Sequence, residues 1–201
     1  MRLKKRLKKL FTLKLIMTYF IVFLMLGSVL GFVLSESVDN EFRTTYNGFR
    51  VELQGNRYLV SFNRERLEFI FPPQELQYFD VPDGMMRNLQ DVPFFTISFD
   101  PNMQDNGELG YLRYIFFEYS YKKDKLVGFG ITEDSLLYDG ISVMNCDDST
   151  RTSPIIVFKD GLQDEISYDQ ENGCIVVNST SAIHRVQFAE RVIYGILGII
   201  E

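Results

Sequence analysis

The sequence predicts an α+β protein: an N-terminal transmembrane helix, then one extracytoplasmic domain with a mixed, mostly antiparallel sheet and two helices. Three observations support this prediction. Residues 15–34 carry no charge. Several short apolar segments, separated by turn residues, are typical of β-strands. Two longer segments place apolar residues at helical spacing.

The uncharged segment is long enough to cross a bilayer as a helix. At a rise of 1.5 Å per residue, twenty residues span about 30 Å. The first 14 residues contain seven Lys or Arg side chains and no acidic one, and such flanks stay cytoplasmic. We therefore predict a basic cytoplasmic flank (1–14), a single-pass signal-anchor (15–34), a tether (35–45) and an extracytoplasmic domain (46–201) at the cell membrane.

Two further hypotheses concern this segment. A cleaved signal peptide is the alternative to an anchor, but its apolar region usually has about 7–15 residues and ends at small side chains. Phe32-Val33-Leu34 contains no small residue, which favours the uncleaved anchor. Gly27 and Gly31 form a small-xxx-small pair, and this spacing suggests a homodimer through the membrane helix.

The first part of the domain has the pattern of a β-meander. Strands are predicted at 49–53, 58–62 and 67–71, because turn residues separate the three apolar segments. Pro72-Pro73 ends the third strand, and residues 73–78 are predicted to form one helical turn. Residues 80–93, which contain Pro82, Gly84 and Pro93, are predicted to be a loop.

The middle of the domain has the pattern strand, helix, strand. We predict a strand at 94–99, a helix at 107–122 and a strand at 126–132, and this order favours a crossover between two parallel strands. The helix carries an apolar stripe, formed by Leu109, Leu112, Ile115, Phe116 and Tyr119.

The last third is predicted to be β-rich and to end in a helix. Strands are expected at 141–146, 154–159, 165–168 and 174–178, with hairpin turns at Asp160-Gly161 and Asn172-Gly173. The final helix begins near Ser181, and its apolar stripe is Ile183, Val186, Ala189, Val192, Ile193, Ile196 and Leu197. Its apolar tail, residues 192–200, is expected to pack across the sheet, with contact to the membrane surface as the alternative.

Charge and cysteine content limit the possible partners and the compartment. Residues 15–201 contain 14 basic and 27 acidic side chains, a net charge of −13, so no nucleic-acid-binding surface is expected. An isolated cysteine pair outside a membrane most often forms a disulfide, which predicts a Cys146–Cys174 bond. Asn178-Ser179-Thr180 matches the short glycosylation sequon at Asn178.

Several short segments resemble those of a family of small membrane-anchored archaeal proteins with no assigned function. The similarity covers about residues 46–199 and implies an archaeal envelope protein with paired cysteines, but no activity. The segments are Tyr46-Asn47-Gly48-Phe49, Phe71-Pro72-Pro73-Gln74-Glu75, Ser98-Phe99-Asp100-Pro101, Cys146, Gly173-Cys174-Ile175 and residues 190–198 (ERVIYGILG).

Catalytic motifs do not emerge from the sequence. The one histidine, His184, has no zinc-type spacing to cysteine and no paired serine. Asp100, Asp105 and Glu108 follow a predicted strand, and their oxygens could hold Ca²⁺ or Mg²⁺ at its carboxyl end. The alternative is that Asp105 caps the next helix and that Glu108 complements its dipole.

These observations favour a non-enzymatic function. We predict a single-pass envelope protein whose outer domain acts as a protein-interaction or assembly module, with no resident cofactor. The alternative is a membrane-tethered hydrolase that uses a carboxylate-bound divalent metal at Asp100, Asp105 and Glu108.

Overall fold

The computed structural model describes residues 17–28, 43–103 and 107–200. The chain divides into two compact units, residues 1–41 and 42–201. In the first unit, residues 17–28 form a helix, α1. No helix within these described ranges is long and apolar enough to cross a membrane. The ends of the predicted anchor (15–16 and 29–34, with Gly31) and the tether up to residue 42 lie outside the described residues.

The second unit begins with an antiparallel sheet of four strands in sequence order. These are β1 (Arg43–Tyr46), β2 (Phe49–Gln54), β3 (Arg57–Phe62) and β4 (Glu65–Phe69). The predicted meander is therefore confirmed. The predicted tether is too long, because residues 43–45 pair with β2. The Asn47-Gly48 turn allows this extra hairpin, since both residues have positive φ (46° and 84°).

A separate sheet of five strands has the order β6-β5-β7-β9-β8. Its strands are β5 (Phe94–Phe99), β6 (Leu126–Ile131), β7 (Ile155–Asp160), β8 (Glu165–Tyr168) and β9 (Ile175–Ser179). Three of its pairings are parallel and only β8–β9 is antiparallel. The prediction of a single, mostly antiparallel sheet is therefore wrong, while the α+β class and the parallel β5–β6 unit are confirmed.

One predicted hairpin is also wrong. The Asp160-Gly161 turn does not join neighbouring strands, because β9 lies between β7 and β8. Asn172-Gly173 does lie in the connection of the antiparallel β8–β9 pair, as expected. Residues on both sides of a turn decide whether its strands pair, and the turn sequence alone does not contain that information.

The helices of this unit are α2 (Pro73–Leu76), α3 (Met85–Asp91), α4 (Leu109–Tyr121) and α5 (Ala182–Leu197). Helix α3 replaces part of the predicted loop; it is short and buries only Met85 and Leu89, so it has little periodicity to recognise. The strand predicted at 141–146 reduces to one bridge between Val143 and Ile131. A 3₁₀ turn at Cys146–Asp148 ends the extended segment there.

Helices α4 and α5 lie between the two sheets. Tyr194 of α5 stacks on Phe69 of the first sheet, with ring centroids 4.1 Å apart, and Phe188 contacts Phe158 of the second at 5.8 Å. Twelve of the sixteen residues of α5 are buried, as expected for a helix covered on both sides. The predicted packing of its apolar tail is confirmed, whereas Ile183 departs from the predicted stripe and is 63% exposed.

The predicted disulfide is present. Cys146 and Cys174 are bonded, with their Cα atoms 5.3 Å apart. Cys174 is buried with Ile155 and Val157 in a small cluster on the sheet face opposite the helices. The bond therefore fastens the 132–154 connection to the second face of the five-stranded sheet.

Candidate functional site

The sequence-predicted metal ligands follow β5. Asp100 accepts a hydrogen bond from the Asn102 amide (2.9 Å), and Glu108 precedes α4 and pairs with Arg185 of α5. Asp105 lies outside the described residues. No group of three His, Cys, Asp or Glu side chains in the described ranges is arranged to hold a metal ion. The Ca²⁺ or Mg²⁺ site at Asp100, Asp105 and Glu108 stays a prediction.

Arg185 gathers two of the carboxylates at this edge of the sheet. Its side chain is 1% exposed and donates to Glu108 and to Oδ1 of Asp160 (2.9 Å). The sequence placed Asp160 in a predicted hairpin turn, but it ends β7 and pairs with Arg185 at the start of α5. The ion pairs join β7 to the starts of both helices.

His184 lies beside Arg185 and faces Asp164. Its Nδ1 is 3.5 Å from Oδ1 of Asp164, and its ring contacts Phe79 at 5.2 Å between centroids. Burial lowers the pKa of His184, which favours the neutral ring. Asp164 already accepts hydrogen bonds from the amide (2.7 Å) and hydroxyl (3.0 Å) of Thr180, so it acts as a cap for that turn.

The sequon residue Asn178 lies within the five-stranded sheet. It belongs to β9 and is paired with Lys159 on one side and Glu165 on the other. Glycosylation sequons are usually placed on surface loops. The position of Asn178 in a strand that is paired on both sides differs from that arrangement.

The outer edge of β6 presents main-chain groups away from the sheet. The amides of Leu126 and Thr132 donate to carbonyls of the β5 side (2.9 and 3.0 Å), whereas the Ile131 amide donates to Ser142 (3.1 Å) on the opposite side. Because main-chain groups alternate along a strand, those of Val127 and Phe129 also point outward. In the described part of the chain, neither residue has a main-chain partner on that side. We call these two positions the open edge.

The edge of β4 shows how such groups are otherwise covered in this protein. The Tyr119 hydroxyl bonds both the amide and the carbonyl of Glu68. Just beyond the strand, the Glu190 carboxylate accepts the amides of Ile70 (2.7 Å) and Phe71 (2.9 Å). Helix side chains therefore cover this edge of the first sheet.

The two remaining edge strands are short and charged. Strands β1 and β8 have four residues each and carry Arg43 and Glu165. Short length and charge are common protections against edge-to-edge pairing. β6 differs from both, because its six residues (LVGFGI) include no charge.

Helix α4 lies alongside the open edge and adds an aromatic surface. The guanidinium carbon of Arg113 is 4.9 Å from the ring centroid of Phe129, so this face of α4 is turned toward β6. Phe117 and Tyr121 follow Arg113 by one and two helical turns and are 50% and 62% exposed. Leu126 is 60% exposed on the opposite face of the sheet, because it pairs with Phe94 and successive residues of a strand alternate between faces. We call Arg113, Phe117, Tyr121, Leu126 and the open edge together the β6 surface.

A small cleft of about 120 Å³ opens at the carboxyl end of β6. Its walls come from β6, the start of α4 and the 136–141 connection, and include Phe129, Arg113, Leu109, Tyr138 and Ile141. A volume of that size accommodates one apolar side chain. The cleft and the open edge together match the two requirements for binding an extended peptide, main-chain pairing and a side-chain pocket.

Sequence reasoning did not identify this surface. The sequence predicted the buried stripe of α4, but it did not indicate that the exposed aromatic residues Phe117 and Tyr121 lie beside an open strand edge. The available signal was the combination of a strand without charge and aromatic residues outside the buried stripe. Comparison of the chain with protein-family models, curated proteins and solved structures finds no match, so the interpretation of the site depends on its own geometry.

Proposed function

We propose that the protein is a single-pass, membrane-anchored envelope protein whose outer domain is a protein-interaction module. The observation that carries this proposal is the open, uncharged edge of β6. An extended segment of a partner would add to the sheet there, forming main-chain hydrogen bonds with Val127 and Phe129. The exposed rings of Phe117 and Tyr121 would bury their apolar area under the added strand.

The sequence supports the location of the module. An uncharged segment at 15–34 follows seven basic residues, which favours an anchor with its N-terminus in the cytoplasm. The Cys146–Cys174 disulfide agrees with an oxidising compartment outside the membrane. The resemblance to membrane-anchored archaeal proteins points to the same setting.

The surroundings of the edge indicate what kind of segment would bind. No carboxylate in the described ranges forms an ion pair with Arg113, so its guanidinium can receive an acidic group or an aromatic ring. The cleft beside Phe129 would take one apolar side chain. We therefore expect an extended segment with an apolar residue near a carboxylate or an aromatic residue.

The test is capture of the full-length protein from native membranes in mild detergent, with quantitative mass spectrometry. Wild type is compared with Leu126→Lys, which places a charge on the β6 surface, and with Leu162→Lys as a matched control. Leu162 is fully exposed on the connection after β7. The proposal expects a stoichiometric partner that Leu126→Lys loses and Leu162→Lys retains. A partner retained by both variants would contradict it, and so would a wild-type protein that associates with neither another protein nor a second copy of itself.

A further inference from the structure

We infer that the partner at β6 is a second copy of this chain, whose own β6 pairs antiparallel to the first about a two-fold axis at Gly128. This inference rests on the proposed function of the β6 surface as an interaction site. It names the partner, and it therefore makes the protein a symmetric homodimer through its outer domain.

The open edge is self-complementary. Each copy offers two amides and two carbonyls, those of Val127 and Phe129. In an antiparallel pair, opposite residues exchange both of their main-chain hydrogen bonds. If Val127 of each copy lies opposite Phe129 of the other, the two copies form four hydrogen bonds and use every outward group of the open edge.

The length of the open edge also fits this symmetric pairing. At its carboxyl end, the outward groups of Ile131 are already bonded to Ser142 (3.1 Å) and Met144 (2.8 Å). Just before its amino end, the Lys125 amide donates to the Ser120 carbonyl (3.2 Å). Between these points, the amides and carbonyls of Val127 and Phe129 have no main-chain partner in the described part of the chain, and a second β6 would pair all four groups.

Gly128 is suited to the position on the axis. Opposite residues in a non-hydrogen-bonded antiparallel pair bring their Cα atoms to about 4.5 Å, and two facing glycines bring no side chains into that space. Its own sheet also requires glycine, because a Cβ there would lie 2.8 Å from the Thr96 hydroxyl oxygen. The same residue therefore serves packing within the sheet and close approach across the axis.

Charge favours β6 over other surfaces for contact between copies. Residues 15–201 have a net charge of −13, so most surfaces of two copies repel each other. β6 carries no charged residue, and the Arg113 guanidinium beside it already lies over the Phe129 ring. Around the two-fold axis, the α4 helices of the two copies would run antiparallel, with their exposed Phe117 and Tyr121 side chains on the same face of the extended sheet.

Sedimentation equilibrium of the full-length protein in density-matched detergent tests this inference. Wild type should be a dimer, and Leu126→Lys should weaken association at least about tenfold, because a lysine on the edge strand, opposite Gly130 of the other copy, opposes edge-to-edge pairing. Leu162→Lys should remain dimeric, and so should Gly27→Leu/Gly31→Leu, which blocks the predicted contact between membrane helices. Thermal melting checks that each variant is folded.

Three results would overturn the inference: a monomeric wild type, a dimer unchanged by Leu126→Lys, or a dimer lost only in the glycine double variant. Amide hydrogen exchange gives an independent readout, since the amides of Val127 and Phe129 should exchange more slowly in the dimer than in Leu126→Lys. A monomer that captures another protein through Leu126 overturns the inference but leaves the proposed function. A protein that neither dimerises nor captures a partner overturns both.

Discussion

The Tyr119 hydroxyl donates a hydrogen bond to the Glu68 carbonyl and accepts one from the Glu68 amide, and both bonds are 3.0 Å long. One phenol from α4 therefore completes both main-chain groups of a residue on the outer edge of β4. The ring also contacts Phe69 at 5.2 Å between centroids. The first sheet is attached to the helix layer through its edge as well as through its apolar face.

Tyr119→Phe should lower the free energy of unfolding by about 1–3 kcal/mol, because it leaves two main-chain groups without a partner. Urea denaturation monitored by circular dichroism measures the change. Tyr121→Phe is the matched control, since Tyr121 is 62% exposed on the same helix and should change stability little. Equal stabilities of the two variants would show that the Glu68 contacts contribute nothing.

Glu190 should make stability depend on pH. Burial raises the pKa of Glu190 to about 7, although Tyr111 and the amides of Ile70 and Phe71 bond the carboxylate. Between about pH 4.5 and 7, the folded protein holds a proton that the unfolded chain has released. The free energy of unfolding should therefore fall as pH rises through this window, by at most about 1.4 kcal/mol per pH unit, and level off above it.

Urea denaturation across this pH window measures that slope. Glu190→Gln should remove the contribution, since the amide does not titrate. Glu118→Gln, an exposed substitution on α4, should retain it. A wild-type slope that persists unchanged in Glu190→Gln would assign the dependence to other groups.

Arg185→Met should destabilise the protein by about 3–5 kcal/mol, because it leaves the buried Glu108 carboxylate without its cation. Adding Glu108→Gln should recover part of the loss, since the double variant no longer buries an uncompensated charge. Chemical denaturation of both variants, with the exposed Arg87→Met as control, measures the difference. A double variant no more stable than Arg185→Met would argue against the ion pair as the cause.

Reduction of the Cys146–Cys174 bond should lower the free energy of unfolding by about 3.5 kcal/mol, from the chain entropy of closing a loop between residues 28 apart. Thermal melts with and without reductant measure the loss. The Cys146→Ser/Cys174→Ser variant should be insensitive to reductant. Maleimide labelling of protein taken from cells without reductant should give no product, and labelling of both thiols would contradict the predicted compartment.

Local sequence signals predicted the elements that depend on neighbours in the chain. The turn residues between the apolar segments at 49–53, 58–62 and 67–71 are enough to predict the meander, because hairpin pairing is local. The start of α5 at Ser181 was also predictable, since the Ser181 side chain accepts the His184 amide at the helix start. The disulfide was predictable because the sequence contains two cysteines and the domain that carries them is expected to lie in an oxidising compartment.

Contacts between residues far apart in the sequence decided the order of the strands and the ion pairs at the edge of the sheet. The position of β9 between β7 and β8 separates the strands on either side of Asp160-Gly161, and no local signal contains that order. Arg185 pairs with Asp160 because the end of β7, the segment before α4 and the start of α5 meet at one edge of the sheet.

The sequence by itself determined the α+β class, the meander, the parallel β5–β6 unit and the disulfide, because local periodicity, turn chemistry and cysteine count suffice for them. Only the tertiary structure decided that there are two sheets and that α4 and α5 lie between them. It also showed that the edge of β4 is covered by Tyr119 while that of β6 is not. Which edges remain open depends on where remote side chains lie after folding, and the sequence pattern of a strand does not specify that.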